Sequence, residues 1–259
     1  MTGRIALVSG SYRGTGAGIA RVLAREGARV WVHGFEAEAA ERVAAGIREQ
    51  GGNATAVAGD IRNDEGADAI ADAVGPIDLL INNYGVAEGG SWKSEMADWI
   101  DQYQKNVLTG VRLVQRLTPG MRERGFGRVI FVGTVGTLRP AARMPHYYAA
   151  KAALPSLTLS LAKELSGSGV TVNLVSPGIV ATAEVLERFE AIAKKRGLPT
   201  DRSSVEELIL EKFMPNPTGR VGEPEDVGSL VAFLCSEHAG YINAANIPID
   251  GGAADAVRI

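Results

Sequence analysis

The chain has 259 residues, of which 46% are apolar and 22% charged, and its formal net charge is −3. That length and composition suit one globular α/β domain, and no lysine or arginine run is long enough to follow a phosphate backbone, which argues against nucleic-acid binding. A single cysteine, Cys235, excludes an intramolecular disulfide framework and a thiolate metal cluster; its setting, LVAFLCS, reads as a buried helix face and not as a nucleophile's open, base-rich surroundings.

Taken in chain order, the first apolar run, IALV within MTGRIALVSGS, is too short for a signal peptide, and no later stretch approaches membrane-spanning length. The expectation is a soluble cytoplasmic protein with no membrane partner. Strand-like runs follow at IALVSG (5–10), ARVWVHG (28–34), NATAVAGD (53–60), DLLINN (78–83), RVIFVGT (128–134), VTVNLVSPG (170–178) and NIPIDGG (246–252), mostly with helix-length segments between them. Short, continuously apolar strands alternating with helices predict an α/β fold, a doubly wound Rossmann-type parallel sheet with helices on both faces. No proline- or serine-rich linker and no fixed-period repeat divides the chain, so residues 1–259 read as a single domain. The irregular stretch is 179–222, where two helical candidates, AEVLERFEAIAKKRG and SSVEELILEKFM, are joined by LPTDR. Ligands in open parallel sheets sit beyond the carboxyl ends of the strands. An insertion leaving that edge is expected to be a substrate lid, with a surface decoration as the plainer alternative.

The loop SGSYRGTGAG (9–18) leaves the first strand and enters the first helix. Glycines there let backbone N–H groups approach a phosphate at the positive end of a helix. Gly14-Thr15-Gly16 opens a GxGxxG pattern, but Ile19 breaks it, and no GK[ST] follows to make a P-loop. Gly14, Gly16 and Gly18 fit the GxGxG of methyltransferases, while Gly10, Gly14 and Gly16 fit a GxxxGxG dinucleotide loop. The end of the second strand tests the cofactor, since an acidic residue favours free ribose hydroxyls and a basic one a 2′-phosphate. His33, Gly34 and Phe35 give neither signal, Glu36 favours NAD if it points inward, and Arg13 could reach a 2′-phosphate. The balance is to NADP over NAD.

PHYYAAK (145–151) places Tyr147 four residues and Tyr148 three residues before Lys151, so either ring shares a helix face with the ammonium. A phenol titrates near 10, and a neighbouring cation lowers that value towards the range useful for exchanging a proton with an alcohol oxygen. Spacing alone leaves both tyrosines open. Thr134, at the end of the fifth strand-like run, lies thirteen residues before Tyr147.

Together SGSYRGTG (9–16), NNYG (82–85), KNV (105–107), GT (133–134), YYAAK (147–151), SPGIVAT (176–182) and IPIDGG (247–252) resemble the short-chain dehydrogenase/reductase family along essentially the whole chain, on the side of its 3-oxoacyl-[acyl-carrier-protein] reductases. The resemblance implies an NAD(P)(H)-dependent oxidoreductase interconverting a secondary alcohol and a ketone. It implies Tyr147 as general acid/base, Lys151 holding the cofactor ribose and lowering the tyrosine pKa, Asn106 holding a relay water, and Thr134 donating to the substrate oxygen. It implies that Gly10, Ser11, Arg13, Gly14, Thr15 and Gly16 cradle the cofactor phosphates, with Asp60 and Ile61 near adenine and Asn83 and Gly85 at the adenosine ribose. Pro177, Gly178 and Thr182 would meet the nicotinamide end. A homotetramer, or else a homodimer, is implied as well, and Tyr148 becomes pocket wall or packing. A catalytically idle dinucleotide-binding protein and an S-adenosylmethionine-dependent methyltransferase are the alternatives.

Several residues depart from the pattern. Thr134 stands where serine is usual, retaining the hydroxyl but adding a methyl. Tyr84 replaces an alanine beside the cofactor cleft, and Asn243-Ala244 replaces a glycine-bearing turn, a change expected to matter for packing. Pro155 lies inside KAALPSLTLSLAKEL, where its missing N–H predicts a bend just past Lys151. The helix 147–165 is apolar nearly all round, which predicts burial against a second copy. His146 reads as structural, His33 and His238 belong to no histidine or carboxylate cluster that suggests a metal, and Trp31, Trp92 and Trp99 read as core or helix-packing residues. In the lid, Val185, Leu186, Phe189, Ile192, Leu208, Ile209, Phe213 and Met214 suggest either an apolar ligand or two helices holding each other.

Overall fold

The computed structural model describes residues 1–254. Seven strands form one parallel sheet: β1 (Ile5–Val8), β2 (Arg29–Gly34), β3 (Asn53–Ala58), β4 (Leu79–Asn82), β5 (Gly127–Val132), β6 (Val170–Pro177) and β7 (Asn246–Ile249), in the order β3-β2-β1-β4-β5-β6-β7. The strands read as unbroken apolar runs because both faces are covered. Ala6 and Val8 of β1 point into one core layer and Leu7 into the other, and in β4 Leu79 and Ile81 oppose Leu80 in the same way.

One layer lies under α1 (Gly14–Arg25), α2 (Ala37–Glu49) and α10 (Pro224–Cys235), and holds Ile19, Leu23, Ile47, Val231 and Cys235. The other lies under α3 (Asp64–Val74), α5 (Thr109–Glu123) and α7 (Leu154–Glu164), and holds Ile70, Leu113, Leu117 and Leu154. Each fully buried leucine or isoleucine there contributes about 1.5–3 kcal/mol. Cys235 lies inside the first layer, and burial pushes its thiol up to about 12, far from a nucleophile's range. Among the described residues, no helix is long and apolar enough to cross a membrane.

The helix is interrupted before Pro155, although Ala153 keeps helical dihedrals of φ −72° and ψ −26°. α6 (Pro145–Ala152) ends just after Lys151, Ala153 interrupts, and Pro155 sits in the first turn of α7, where a missing N–H costs least. A second interruption was not foreseen. Between α4 (Met96–Tyr103) and α5, residues Gln104–Leu108 form a π-helical turn that contains Asn106. The insertion after β6 is two short helices, α8 (Ala183–Lys195) and α9 (Arg202–Lys212). The turn before β7 also has a cause beyond packing, because Ala244 adopts φ 58°, the left-handed conformation that glycine takes at less cost.

Candidate active site

The carboxyl ends of β1, β4, β5 and β6 open into a cleft of about 500 Å³. It lies where the strand order reverses about β1, the crevice in which open α/β sheets bind ligands. Gly10, Tyr12, Arg13, Gly14, Thr15 and Gly16 wall one end, and residues 83–87 the middle. Thr134, Tyr147, Lys151, Pro177, Gly178 and Thr182 wall the other end, with Glu184, Val185 and Arg188 of α8 beside them.

The first end has the donor set for a dinucleotide's diphosphate. No side chain caps the start of α1 and its first turn carries no acidic residue. By contrast, the Asn63 side chain caps α3, and Glu223 and Asp226 cap α10 reciprocally. The amides of Gly14, Thr15 and Gly16 thus stay open at the positive end of a helix. Gly16 is obligatory, since a Cβ there would lie 2.5 Å from Asn83 Nδ2 and 2.6 Å from the Gly10 carbonyl oxygen.

Three of the residues expected at the cofactor do not wall this cleft. Ser11 is fully buried; its hydroxyl donates to the Val8 carbonyl at 2.7 Å and accepts from the His33 N–H at 3.0 Å. Ile61 is core, because its side chain turns inward under α3. Asp60 is held by Arg62 through both carboxylate oxygens, at 2.9 and 2.8 Å, which keeps its carboxyl below the usual range.

His33 turns out to organise this end. Its Nδ1 accepts from the Gly10 N–H at 3.0 Å, so Nε2 carries the proton and donates to the Gly59 carbonyl, also at 3.0 Å. The ring ties the glycine loop to the end of β3, and burial lowers its pKa to about 4, keeping it neutral. In front of it Phe35 meets Tyr84 edge-on at 4.9 Å and Tyr12 at 6.5 Å, and the Arg62 guanidinium lies 4.9 Å over the Phe35 ring. Tyr84 therefore forms an aromatic wall of the cleft. Glu36 is exposed at the start of α2 and is not part of that wall, and Arg13 pairs with Glu184 at 3.3 Å.

At the other end, Lys151 is buried and its Nζ donates to the Val132 carbonyl at 2.8 Å; burial lowers its pKa to about 8. The Tyr147 hydroxyl is hydrogen-bonded to the Thr134 side chain. Thr134 Oγ1 also accepts from the Gly136 N–H at 3.1 Å, which fixes its rotamer. Tyr148, whose ring centroid lies 5.5 Å from that of Tyr147, packs on Gly136 and does not wall the cleft. Of the two tyrosines, only Tyr147 faces both Thr134 and the open space. Burial pushes the Tyr147 phenol up to about 12, helped by Tyr148, and the Thr134 hydrogen bond opposes only part of that.

Asn106 is buried in the π-helical turn. Its Oδ1 accepts from the Val86 N–H at 3.0 Å, and its Nδ2 donates to the Val86 carbonyl at 3.1 Å and the Gln102 carbonyl at 3.0 Å. Through these bonds the side chain fastens the loop after β4. Gly85 makes this possible, because a Cβ there would lie 2.7 Å from both Asn106 Oδ1 and Lys151 Nζ.

His146 is buried between Gly90 and Trp99, a structural place. Trp92 does not join the core; it is 74% exposed and leans on Trp99 at 5.5 Å, because the loop that carries it lies outside the sheet layers. The apolar residues of the insertion chiefly hold their own helices together: Phe189, Ile209 and Phe213 share a small core with Val205, and the Phe189 and Phe213 rings meet at 4.8 Å. Of that apolar set only Val185 reaches the cleft. The cleft residue that sequence reading passed over is Arg188, three positions after Val185 on the same helix face. Among the described residues, no group of three or more His, Cys, Asp or Glu could hold a metal ion.

A family model described as enoyl-(acyl carrier protein) reductase matches residues 10–254. The chain belongs to the short-chain dehydrogenase/reductase family. It is 34% identical to the 3-oxoacyl-[acyl-carrier-protein] reductase FabG of Haemophilus influenzae over 256 residues, covering 97% of this chain and 98% of the relative. L-Sorbose reductase of Gluconobacter frateurii, solved with NADPH and L-sorbose, superposes with a TM-score of 0.93 at 28% identity, over 99% of this chain and 98% of that one. A 7α-hydroxysteroid dehydrogenase solved with NADH and 7-oxo glycochenodeoxycholic acid superposes with a TM-score of 0.84 at 26% identity, over 99% and 96%. This short-chain dehydrogenase/reductase is thus an NAD(P)-dependent oxidoreductase of carbonyl or alcohol substrates. A methyltransferase reading accounts for Gly14, Gly16 and Gly18 alone, whereas the family match spans the sheet.

Proposed function

We propose that the enzyme interconverts a ketone and a secondary alcohol with Tyr147 as general acid/base and Thr134 as hydrogen-bonding partner of the substrate oxygen. The observation that carries this is the Tyr147–Thr134 hydroxyl pair at the cleft wall, beside the buried ammonium of Lys151. A bound nicotinamide supplies or accepts the hydride. Tyr147, whose phenol burial pushes up, is protonated at neutral pH and placed to give a proton to a carbonyl oxygen in the reduction direction. Lys151, at about 8, is mostly cationic at neutral pH and stabilises the phenolate left behind. Asn106 is a positioning residue that holds the loop over that lysine, and α8 and α9 form the lid.

NADPH is the favoured cofactor. Phe35 stands at the end of β2 where a carboxylate would repel a 2′-phosphate, and Glu36 points to solvent. The exposed Arg13–Glu184 pair is worth little, which leaves Arg13 easily released to a phosphate. The active form is a homotetramer, or at the least a homodimer: α6 and α7 leave Ala149, Ala152, Ser156 and Leu159 exposed, a face of small residues and one leucine suited to a second copy. Light scattering on the eluted protein reads that state directly.

The test of the reaction is consumption of NADPH and of NADH against a panel of ketones at neutral pH. Turnover that is faster with NADPH supports the reading; no ketone reduced with either cofactor contradicts it.

A further inference from the structure

The substrate end of the cleft carries more positive charge than a simple ketone needs. Arg188 of α8 walls the cleft together with Thr134, Tyr147 and Lys151. Its guanidinium acts electrostatically on both Tyr147 and Tyr148, and Arg143, in the segment leading into α6, lies close enough to repel it. Partial burial and that like charge both work against its protonated form. Two cations brought together, one of them on the cleft wall, are a destabilising arrangement unless an anion joins them.

Among the described residues, no anion fills that role. The natural partner of Arg188 is Glu184, one helical turn earlier, but its carboxylate is turned to Arg13 at 3.3 Å. Glu88, in the loop after β4, is held by Lys105 at 2.8 Å and by Gln102 at 2.6 Å. Among the described residues, neither Arg188 nor Arg143 forms an ion pair with a carboxylate, although exposed arginines elsewhere do so repeatedly, as Arg62, Arg202 and Arg220 show. A guanidinium held in a planar fork is the side chain best shaped for a carboxylate or phosphate.

We infer that the substrate is an anionic ketone or hydroxy compound, whose oxygen meets Thr134 and Tyr147 while its carboxylate or phosphate is held by Arg188 and Arg143. This rests on the proposed reaction and names its substrate class. The arrangement places the reacting carbon between two fixed points, the hydroxyl pair on the sheet edge and the arginine on the lid, so binding the anion draws α8 towards the cleft. Arg188 is then a specificity-determining residue, and Arg143 adds to the field at the mouth.

The test uses the full-length protein and matched pairs: straight-chain oxo-acids with their methyl esters, and phosphorylated ketones with their unphosphorylated parents. Affinity is read by calorimetry in the presence of NADP+, and turnover by NADPH consumption. The expected result is tighter binding of the anion than of its neutral partner in the wild type. In Arg188→Gln that preference falls at least tenfold, in Arg188→Lys it falls less, and added salt reduces it. Whether acids or phosphates gain more decides between the two anions. Equal affinity for charged and neutral partners, or an unchanged preference in Arg188→Gln and Arg143→Gln alike, overturns the inference. The calorimetric arm needs no turnover. A protein that binds oxo-acids through Arg188 but reduces nothing would leave this inference standing while removing the proposed reaction, and brisk reduction of neutral ketones alone would do the reverse.

Discussion

The two ends of the cleft are built on opposite principles. At the glycine-loop end the polar groups behind the wall are satisfied within the chain: Ser11 by Val8 and His33, His33 by Gly10 and Gly59, and Asn83 by the Ser9 carbonyl at 2.9 Å. What stays open is a row of backbone amides. At the other end the open groups are side chains, the hydroxyls of Thr134 and Tyr147 on the sheet side and Arg188 on α8. The comparison teaches how a common fold keeps one cofactor and changes its substrate. The cofactor end is set by backbone geometry that few substitutions can alter without breaking hydrogen bonds, and the substrate end by exposed side chains on an insertion with a separate small core.

The sharpest way to break the substrate end is through its buried cation. Lys151→Met keeps the volume and removes the charge, and should lower kcat/KM by about 10²–10⁴-fold. Steady-state assays in both directions read it, and near wild-type rates would separate Lys151 from the proton transfer.

The cofactor end should fail with acid before the rest of the fold. Burial lowers the folded pKa of His33 from the ordinary 6.5 to about 4. The stability its neutral form contributes is therefore fully present above pH 6.5 and is lost as the pH falls through 4, roughly 3 kcal/mol in all. Urea melts across pH 4–7 should show that slope in the wild type and a flatter one in His33→Gln. Next in size is Gly16→Ala. The added Cβ lies too close to Asn83 and the Gly10 carbonyl, so a loss of about 1–3 kcal/mol and a weaker grip on NADPH are expected together, read by thermal melts and by fluorescence titration. The smallest effect, and the only gain, belongs to Ala244→Gly. Relieving φ 58° should stabilise the protein by about 1 kcal/mol, seen as a higher urea midpoint with the same slope.

Much of this was legible in the sequence. The seven apolar runs gave the strands, because burial on both faces writes itself as unbroken hydrophobicity, and Pro155 announced the break after Lys151, because a missing N–H acts locally. Spacing on one helix paired Lys151 with two tyrosines, and the resemblance to a known family singled out Tyr147, Thr134 and the glycine loop. What spacing could not show was direction. Ser11, Asp60 and Ile61 sit in the right stretches but turn towards Val8, Arg62 and the core. The π-helical turn around Asn106 depends on contacts with Val86 across the loop, and the φ of Ala244 on its fit against Val172, whose carbonyl accepts its N–H at 2.8 Å. Arg188 was hidden among apolar neighbours that drew the eye to a hydrophobic lid, and only the folded helix shows that they pack inward while the arginine faces the cleft.

The central claim is that Tyr147, and not the tyrosine beside it, moves the proton. The most direct measurement compares Tyr147→Phe and Tyr148→Phe for ketone reduction, with NADPH affinity titrated on the same preparations. The account predicts that both variants bind NADPH, that Tyr147→Phe loses at least about a hundredfold in kcat, and that Tyr148→Phe loses far less. Loss of turnover in Tyr148→Phe with Tyr147→Phe still active would contradict it.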